Sequence, residues 1–119
     1  MVAVEPAQLV GAGGAIGALC RHYLAEALKR ETFPLGTLTV NAVGSFVLGL
    51  LTFAGVTGDA ALLVGVGACG SFTTFSSFSV GTVRLWEDGY VALAVLNAVG
   101  NLVCALTAIG LAWGIVQVL

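Results

Sequence analysis

An all-α membrane protein with four transmembrane helices is the fold class this sequence predicts, and three observations predict it. Hydrophobic residues make up 59% of the 119-residue chain, while Asp, Glu, Lys and Arg together make up 8%. A soluble domain normally carries about 25% charged residues, so four basic and six acidic side chains cannot cover a globule of this size. The apolar residues also fall in runs long enough to cross a hydrocarbon layer of about 30 Å at 1.5 Å of rise per residue. Finally, the runs are separated by turn chemistry: Thr32-Phe33-Pro34, Gly58-Asp59 and Trp86-Glu87-Asp88-Gly89. Membrane strands are excluded because the runs are too long and do not alternate. The composition excludes an ordinary soluble enzyme, a disordered regulator and a nucleic-acid binder, which needs a basic face. Seventeen glycines without a Gly-X-Y period exclude collagen. The expectation is one integral membrane domain over residues 1–119, multi-pass in the cell inner membrane.

The first helix is expected at about 6–28, with Glu5 at the positive helix end and Pro6 at the first helical position. It lacks a basic leader, and Arg21 follows the apolar run, so it reads as a retained span and not a cleaved signal. The second is expected at 35–56, the third at 60–85 and the fourth at 90–118. Lys29 and Arg30 then lie in the first loop and Arg84 near the third, on one side of the membrane, with Arg21 near the same end. By the positive-inside rule that side is cytoplasmic and both termini are outside. Cys20, Cys69 and Cys104 are odd in number and scattered, so they read as small packing residues instead of a disulfide or metal framework. His22 reads as an interfacial side chain.

Polar residues within the spans carry the functional information, since an unpaired polar group in hydrocarbon costs several kcal/mol. The second span holds Asn41, Ser45 and Gly49 on one face, and the fourth holds Asn97 and Asn101 one turn apart, with Thr107 beyond. Interhelical hydrogen bonds, worth about 0.6 to 2 kcal/mol each, suffice for Ser45. For the three Asn side chains that reading stands beside a polar pathway, in which amides offer N–H donors without a charge that would trap an anion. The third span holds Gly70-Ser71-Phe72-Thr73-Thr74-Phe75-Ser76-Ser77-Phe78-Ser79, with six hydroxyls in ten residues. Hydroxyls and glycine offer the backbone alternatives to the helical ladder, so a break is expected here. At membrane depth a break is allowed only against a cavity or inside protein. Phe75 and Phe78, three residues apart, share a face of a helical turn, and their positive ring edges suit a small anion as well as they suit core packing. Gly13 and Gly17 form a small-xxx-small ridge that reads as an assembly face. The glycines of that run lack the strand, turn and Lys of a phosphate loop.

Across all four spans the chain resembles the Fluc (CrcB) family of fluoride channels. The resemblance rests on Gly13, Gly14, Gly17, Ala18 and Arg21 in the first span and on Asn41, Gly44, Ser45, Phe46 and Gly49 in the second. Most specific is Gly70, Thr73, Thr74, Phe75, Ser76 and Phe78 in the third. It implies an antiparallel, dual-topology homodimer with two passive fluoride pores, exporting toxic fluoride from the cytoplasm. Phe75 and Phe78 would line the pore, Asn41 would be an amide donor along it, and Thr74, Ser76, Asn97, Asn101 and Thr107 would continue the ion pathway. Arg21 would attract anions at the vestibule. A structural sodium ion at the dimer interface would be held through the backbone carbonyls of Gly70 and Thr73.

The chain departs from the family pattern at His22, which separates Arg21 from Tyr23, at Gly81, where many relatives carry an acid, and at Asn97 and Asn101, where hydroxyls are usual. Its basic bias leaves open a paralogous partner chain in an oriented heterodimer. A small multidrug-type transporter needs an acid within the first span, but Glu5 and Glu26 flank it. A non-transporting assembly subunit would explain the glycine ridge but not the Thr-Thr-Phe-Ser-Ser-Phe segment. No residue pattern suggests an enzyme.

Overall fold

Among the described residues, 3–119, this computed structural model contains five helices and no strand. Helix α1 is Pro6–Ala27 and α2 is Leu35–Phe53. Helix α3 covers residues 58–72, with α geometry at Gly58–Ala60 and Gly70–Phe72 and wider π-type turns over Ala61–Cys69. Helix α4 is Phe75–Glu87 and α5 is Val91–Val118. The expected third span is therefore two helices separated by Thr73 and Thr74, reaching from 58 to 87 where 60–85 was expected.

Local chemistry sets these boundaries. Pro6 occupies the first turn of α1, where a missing N–H costs nothing, and the Glu5 N–H donates to Gln8 Oε1 at 3.0 Å. Helix α2 stops at Phe53, short of the expected 56, because Gly55 turns left-handed at φ +74°. There Val56 N–H donates to Leu51 O at 2.9 Å and Gly55 N–H to Thr52 O at 3.2 Å, the paired bonds of a Schellman end. Helix α4 ends the same way at Gly89, φ +87°, with Tyr90 N–H on Leu85 O at 2.8 Å and Gly89 N–H on Trp86 O at 3.1 Å.

The helices form a thin slab of 58 × 34 × 20 Å. Its shortest dimension is about two helix diameters of ~10 Å, too shallow to bury both faces of any helix. Helix α1 lies along α3, α2 lies along α5, and α4 returns onto α5. Val40, Cys69, Leu85, Ala94, Ala108 and Ala112 are the buried apolar residues, and Ile16, Tyr23, Leu102, Leu106 and Trp113 face outward. Helices 35–53, 58–87 and 91–118 are long and apolar enough to cross a membrane. Helix α1 has 22 residues, the length of a span, but it is less apolar than these three: its apolar run ends at Cys20, and Arg21, His22 and Glu26 follow.

The Gly13–Gly17 ridge meets α3 within the chain. A Cβ on Gly13 would run into the Leu63 carbonyl, and one on Gly17 into the Ala68 carbonyl. From the other side, a Cβ on Gly67 would come within 2.8 Å of Val10 O. Absence of side chains on both helices lets the backbones touch, which is the close approach that such ridges permit.

Candidate functional site

The interruption between α3 and α4 is the centre of the site. Thr73 (φ −80°, ψ 157°) and Thr74 (φ −150°, ψ 120°) are extended. Thr73 closes α3 by donating both its N–H, at 3.1 Å, and its hydroxyl, at 3.0 Å, to Cys69 O. Thr74 opens α4 as its N-cap, its Oγ1 accepting Ser77 N–H at 3.1 Å and lying 3.2 Å from Ser76 Oγ. Both polar groups of the Thr74 backbone bond to a single side chain on α2. Asn41 Oδ1 accepts the Thr74 N–H at 2.7 Å, and Asn41 Nδ2 donates to Thr74 O at 3.1 Å. Asn41 thus pairs with the extended residue as a neighbouring strand would, satisfying backbone that has left the helical ladder. Gly44, one turn on, makes room for the break: a Cβ there would collide with Thr73 Cγ2 and lie 3.2 Å from Phe72 Cδ1.

A cleft of about 550 Å³ runs beside the break, lined by Asn41, Ser45, Thr74, Phe75, Phe78 and Asn101 among other residues of α2, α4 and α5. The Phe75 and Phe78 rings lie 5.6 Å apart at 51°, so the two share a face as their spacing predicts. Phe75 is 79% exposed, unusual for a large aromatic unless a partner, a lipid or a passage lies against it. Behind the cleft the amides form a chain. Asn41 Nδ2 donates to Asn101 Oδ1 at 3.1 Å, and Asn101 Nδ2 donates to Asn97 O at 2.8 Å and Asn97 Oδ1 at 3.0 Å. Asn97 Nδ2 donates to Thr82 Oγ1 at 2.8 Å, and that hydroxyl donates to Phe78 O at 2.8 Å.

The structure does not gather every candidate residue in one place. Asn41, Thr74, Phe75, Phe78 and Asn101 line the cleft, whereas Asn97 is fully buried behind it. Ser76 lies in an adjoining recess of about 380 Å³ with Thr37, Ser77 and Arg84. Arg21 is half-buried on α1, outside the cleft lining, and Thr107 is exposed on α5. Gly70 is exposed, with open space where a side chain would stand. Lys29, Arg30 and Arg84 do converge, together with Glu26, Glu31 and Asp88, around a hollow of about 360 Å³ at one end of the slab. Two contributors were missed by sequence reasoning. Thr82 ends the amide chain, and its partner Asn97 lies across a turn that periodicity does not connect. Gly44 belonged to a recognised motif, but its role as the seat for Thr73 needs the fold.

Membrane-length helices and a polar cleft beside an interrupted helix, flanked by two aromatic rings, define a membrane-embedded protein with a passage-like site between helices. The chain belongs to the CrcB-like family: residues 8–114 match the family described as CrcB-like protein, Camphor Resistance (CrcB). It is 86% identical over 118 residues, 99% of both chains, to a protein of Haloarcula marismortui named fluoride-specific ion channel FluC 2. It is 52% identical over 108 residues, 91% of both chains, to fluoride-specific ion channel FluC 1 of Halobacterium salinarum. It is 42% identical over 101 residues to fluoride-specific ion channel FluC of Pyrococcus abyssi, covering 80% of this chain and 82% of that one. These relatives are named as channels, not as enzymes.

Proposed function

We propose that this protein is a passive, fluoride-selective channel of the cell membrane that lets toxic fluoride leave the cytoplasm. The observation that carries the reading is the pair of rings on the first turn of α4, Phe75 outward-facing and Phe78 beside it, flanking a cleft that also holds amide and hydroxyl groups. Fluoride is small and strongly hydrated, so a pore must replace its water with many modest donors. Ring edges and neutral N–H and O–H groups do so without a charge that would hold the ion. The names of the relatives point the same way.

Two antiparallel copies with a pore on each side complete the reading, and α1 supplies the fourth span of each copy. The outward-facing apolar residues of the slab, too thin to bury them itself, support a second copy and lipid as their partners. A structural sodium ion between the copies fits the chain. No donor among the described residues reaches the carbonyl oxygens of Gly70, Ser71, Phe72 and Thr73, which end α3. Hard oxygen atoms of this kind suit a hard cation. Gly70 and Thr73 would hold the ion, and the bound charge would tie the two broken helices together. Arg21 would draw anions to one mouth. An oriented pair with a paralogous chain is the second reading, favoured by the convergence of Lys29, Arg30 and Arg84 at one end. A crosslinked dimer formed by this protein expressed alone would remove the obligate-heterodimer version.

The test is efflux from liposomes loaded with potassium fluoride, followed by a fluoride electrode after valinomycin is added. Rapid release, absent with chloride loading and lost in Phe75→Ile, is the expected result. Folded protein that releases none, alone and with a paralogue, overturns the reading.

A further inference from the structure

We propose that Asn97 and Asn101 are positioning residues that orient Asn41 and thereby hold the ring-bearing segment Thr74–Phe78 in place, with Asn97 never touching the ion. The inference deepens the channel reading and rests on it for its functional consequence.

The argument is one of donors and acceptors. An amide nitrogen has two N–H groups and an amide oxygen only accepts. Asn101 Nδ2 directs both of its bonds to Asn97, to the backbone oxygen at 2.8 Å and to Oδ1 at 3.0 Å. Its own oxygen is therefore turned to Asn41, which must answer with an N–H, at 3.1 Å. With Asn41 Nδ2 so placed, its second N–H meets Thr74 O at 3.1 Å and its oxygen is left for the Thr74 N–H at 2.7 Å. Reversing any one amide would set oxygen against oxygen or N–H against N–H. The far end is anchored too, since Asn97 Nδ2 donates to Thr82 Oγ1 at 2.8 Å and the Thr82 hydroxyl donates to Phe78 O at 2.8 Å.

The relay leaves the break at Thr74 and returns to the same segment at Phe78, so it brackets the two residues whose rings flank the cleft. Asn97 is 0% exposed and Asn101 8%. In hydrocarbon surroundings neither can turn to water, so the chain of bonds has one sense only. It also occupies both N–H groups of Asn41, so an anion that binds this amide must displace Thr74 O or Asn101 Oδ1.

The experiment uses the full-length protein, isotope-labelled in nanodiscs, with potassium fluoride as the probe and liposome efflux measured in parallel. In the unmodified protein, added fluoride is expected to shift the Asn41 side-chain amide signals and leave those of Asn97 in place. Asn97→Leu, which keeps the branching and heavy-atom count of the side chain but removes Oδ1 and Nδ2, is expected to move the Asn41 signals from a distance, to speed exchange of the Thr74 N–H about tenfold, and to lower fluoride efflux about tenfold. Thr82→Val removes only the far anchor and is expected to change the same signals in the same direction by about half as much on a logarithmic scale; it serves if Asn97→Leu does not fold. Fluoride shifts at Asn97 as large as those at Asn41 would overturn the proposal. So would an Asn41 signal and a Thr74 exchange rate unmoved in both variants. If the amide coupling is present but the unmodified protein passes no fluoride, the channel reading fails while the positioning role stands.

Discussion

The face between α1 and α3 and the face joining α2, α4 and α5 bring helices together by opposite means. On the first, side chains are removed: Gly13, Gly17 and Gly67 put backbone against backbone, and a single Cβ on Gly13 or Gly17 meets a carbonyl. On the second, side chains are added: three amides and the Thr82 hydroxyl bond in series across the helices. A lipid-facing protein gains little from hydrophobic contact between helices, so close packing and hydrogen bonds must hold it. Packing of backbones serves where nothing needs to pass. Amides serve where the backbone itself is interrupted and its polar groups need partners. The difference teaches where to look for function: glycine contacts mark the rigid half, and the interrupted, amide-bridged half carries the cleft.

Substitutions that swap the demands of the two faces test this contrast, and the largest effect is expected on the glycine face. Gly17→Leu forces α1 off α3 and should leave little folded protein, read as loss of the monodisperse peak on size-exclusion chromatography; overpacking of this kind costs about 3 kcal/mol or more. On the other face Phe75→Ile or Phe78→Ile should abolish fluoride efflux while the protein still folds and associates, and undiminished flux in both would sink the assignment of the rings. Asn41→Leu leaves the Thr74 N–H and carbonyl without partners and should lower stability by about 1–3 kcal/mol, measured as a shift in the thermal transition. Thr74→Ala removes only the N-cap oxygen of α4 and should cost about 1 kcal/mol, with Thr74→Ser close to neutral. Gly14→Ala is the smallest: nothing lies within 4 Å of its Cβ position, so stability should move by no more than about 0.5 kcal/mol. A large effect at Gly14 would mean that α1 has another tight neighbour, such as a second copy.

Much of this was legible in the chain. Run lengths and the Gly58 and Gly89 turns place the helices, because an apolar stretch and a left-handed residue act locally, whereas the turn at Gly55 was not read and the second span was drawn past it to 56. The break at Thr73 and Thr74 was legible from the density of hydroxyls, and the shared face of Phe75 and Phe78 from their spacing of three. The ridge at Gly13 and Gly17 was visible too, but not its partner: the residues it meets, Leu63 and Ala68, are some fifty positions away and carry no matching mark. The first span was read at its observed place too, although α1 is less apolar than the other spans, since Arg21, His22 and Glu26 interrupt its apolar run near its end.

By itself the sequence determined that the protein is helical, membrane-embedded and interrupted in its third hydrophobic segment, because those properties follow from composition and from local backbone chemistry. Only the tertiary structure decided which polar groups answer one another. Asn41 and Thr74 are 33 residues apart and Asn41 and Asn101 are 60 apart. Every Asn offers the same donors and acceptor, and only the fold brings particular ones within hydrogen-bonding distance and fixes which way each amide must face.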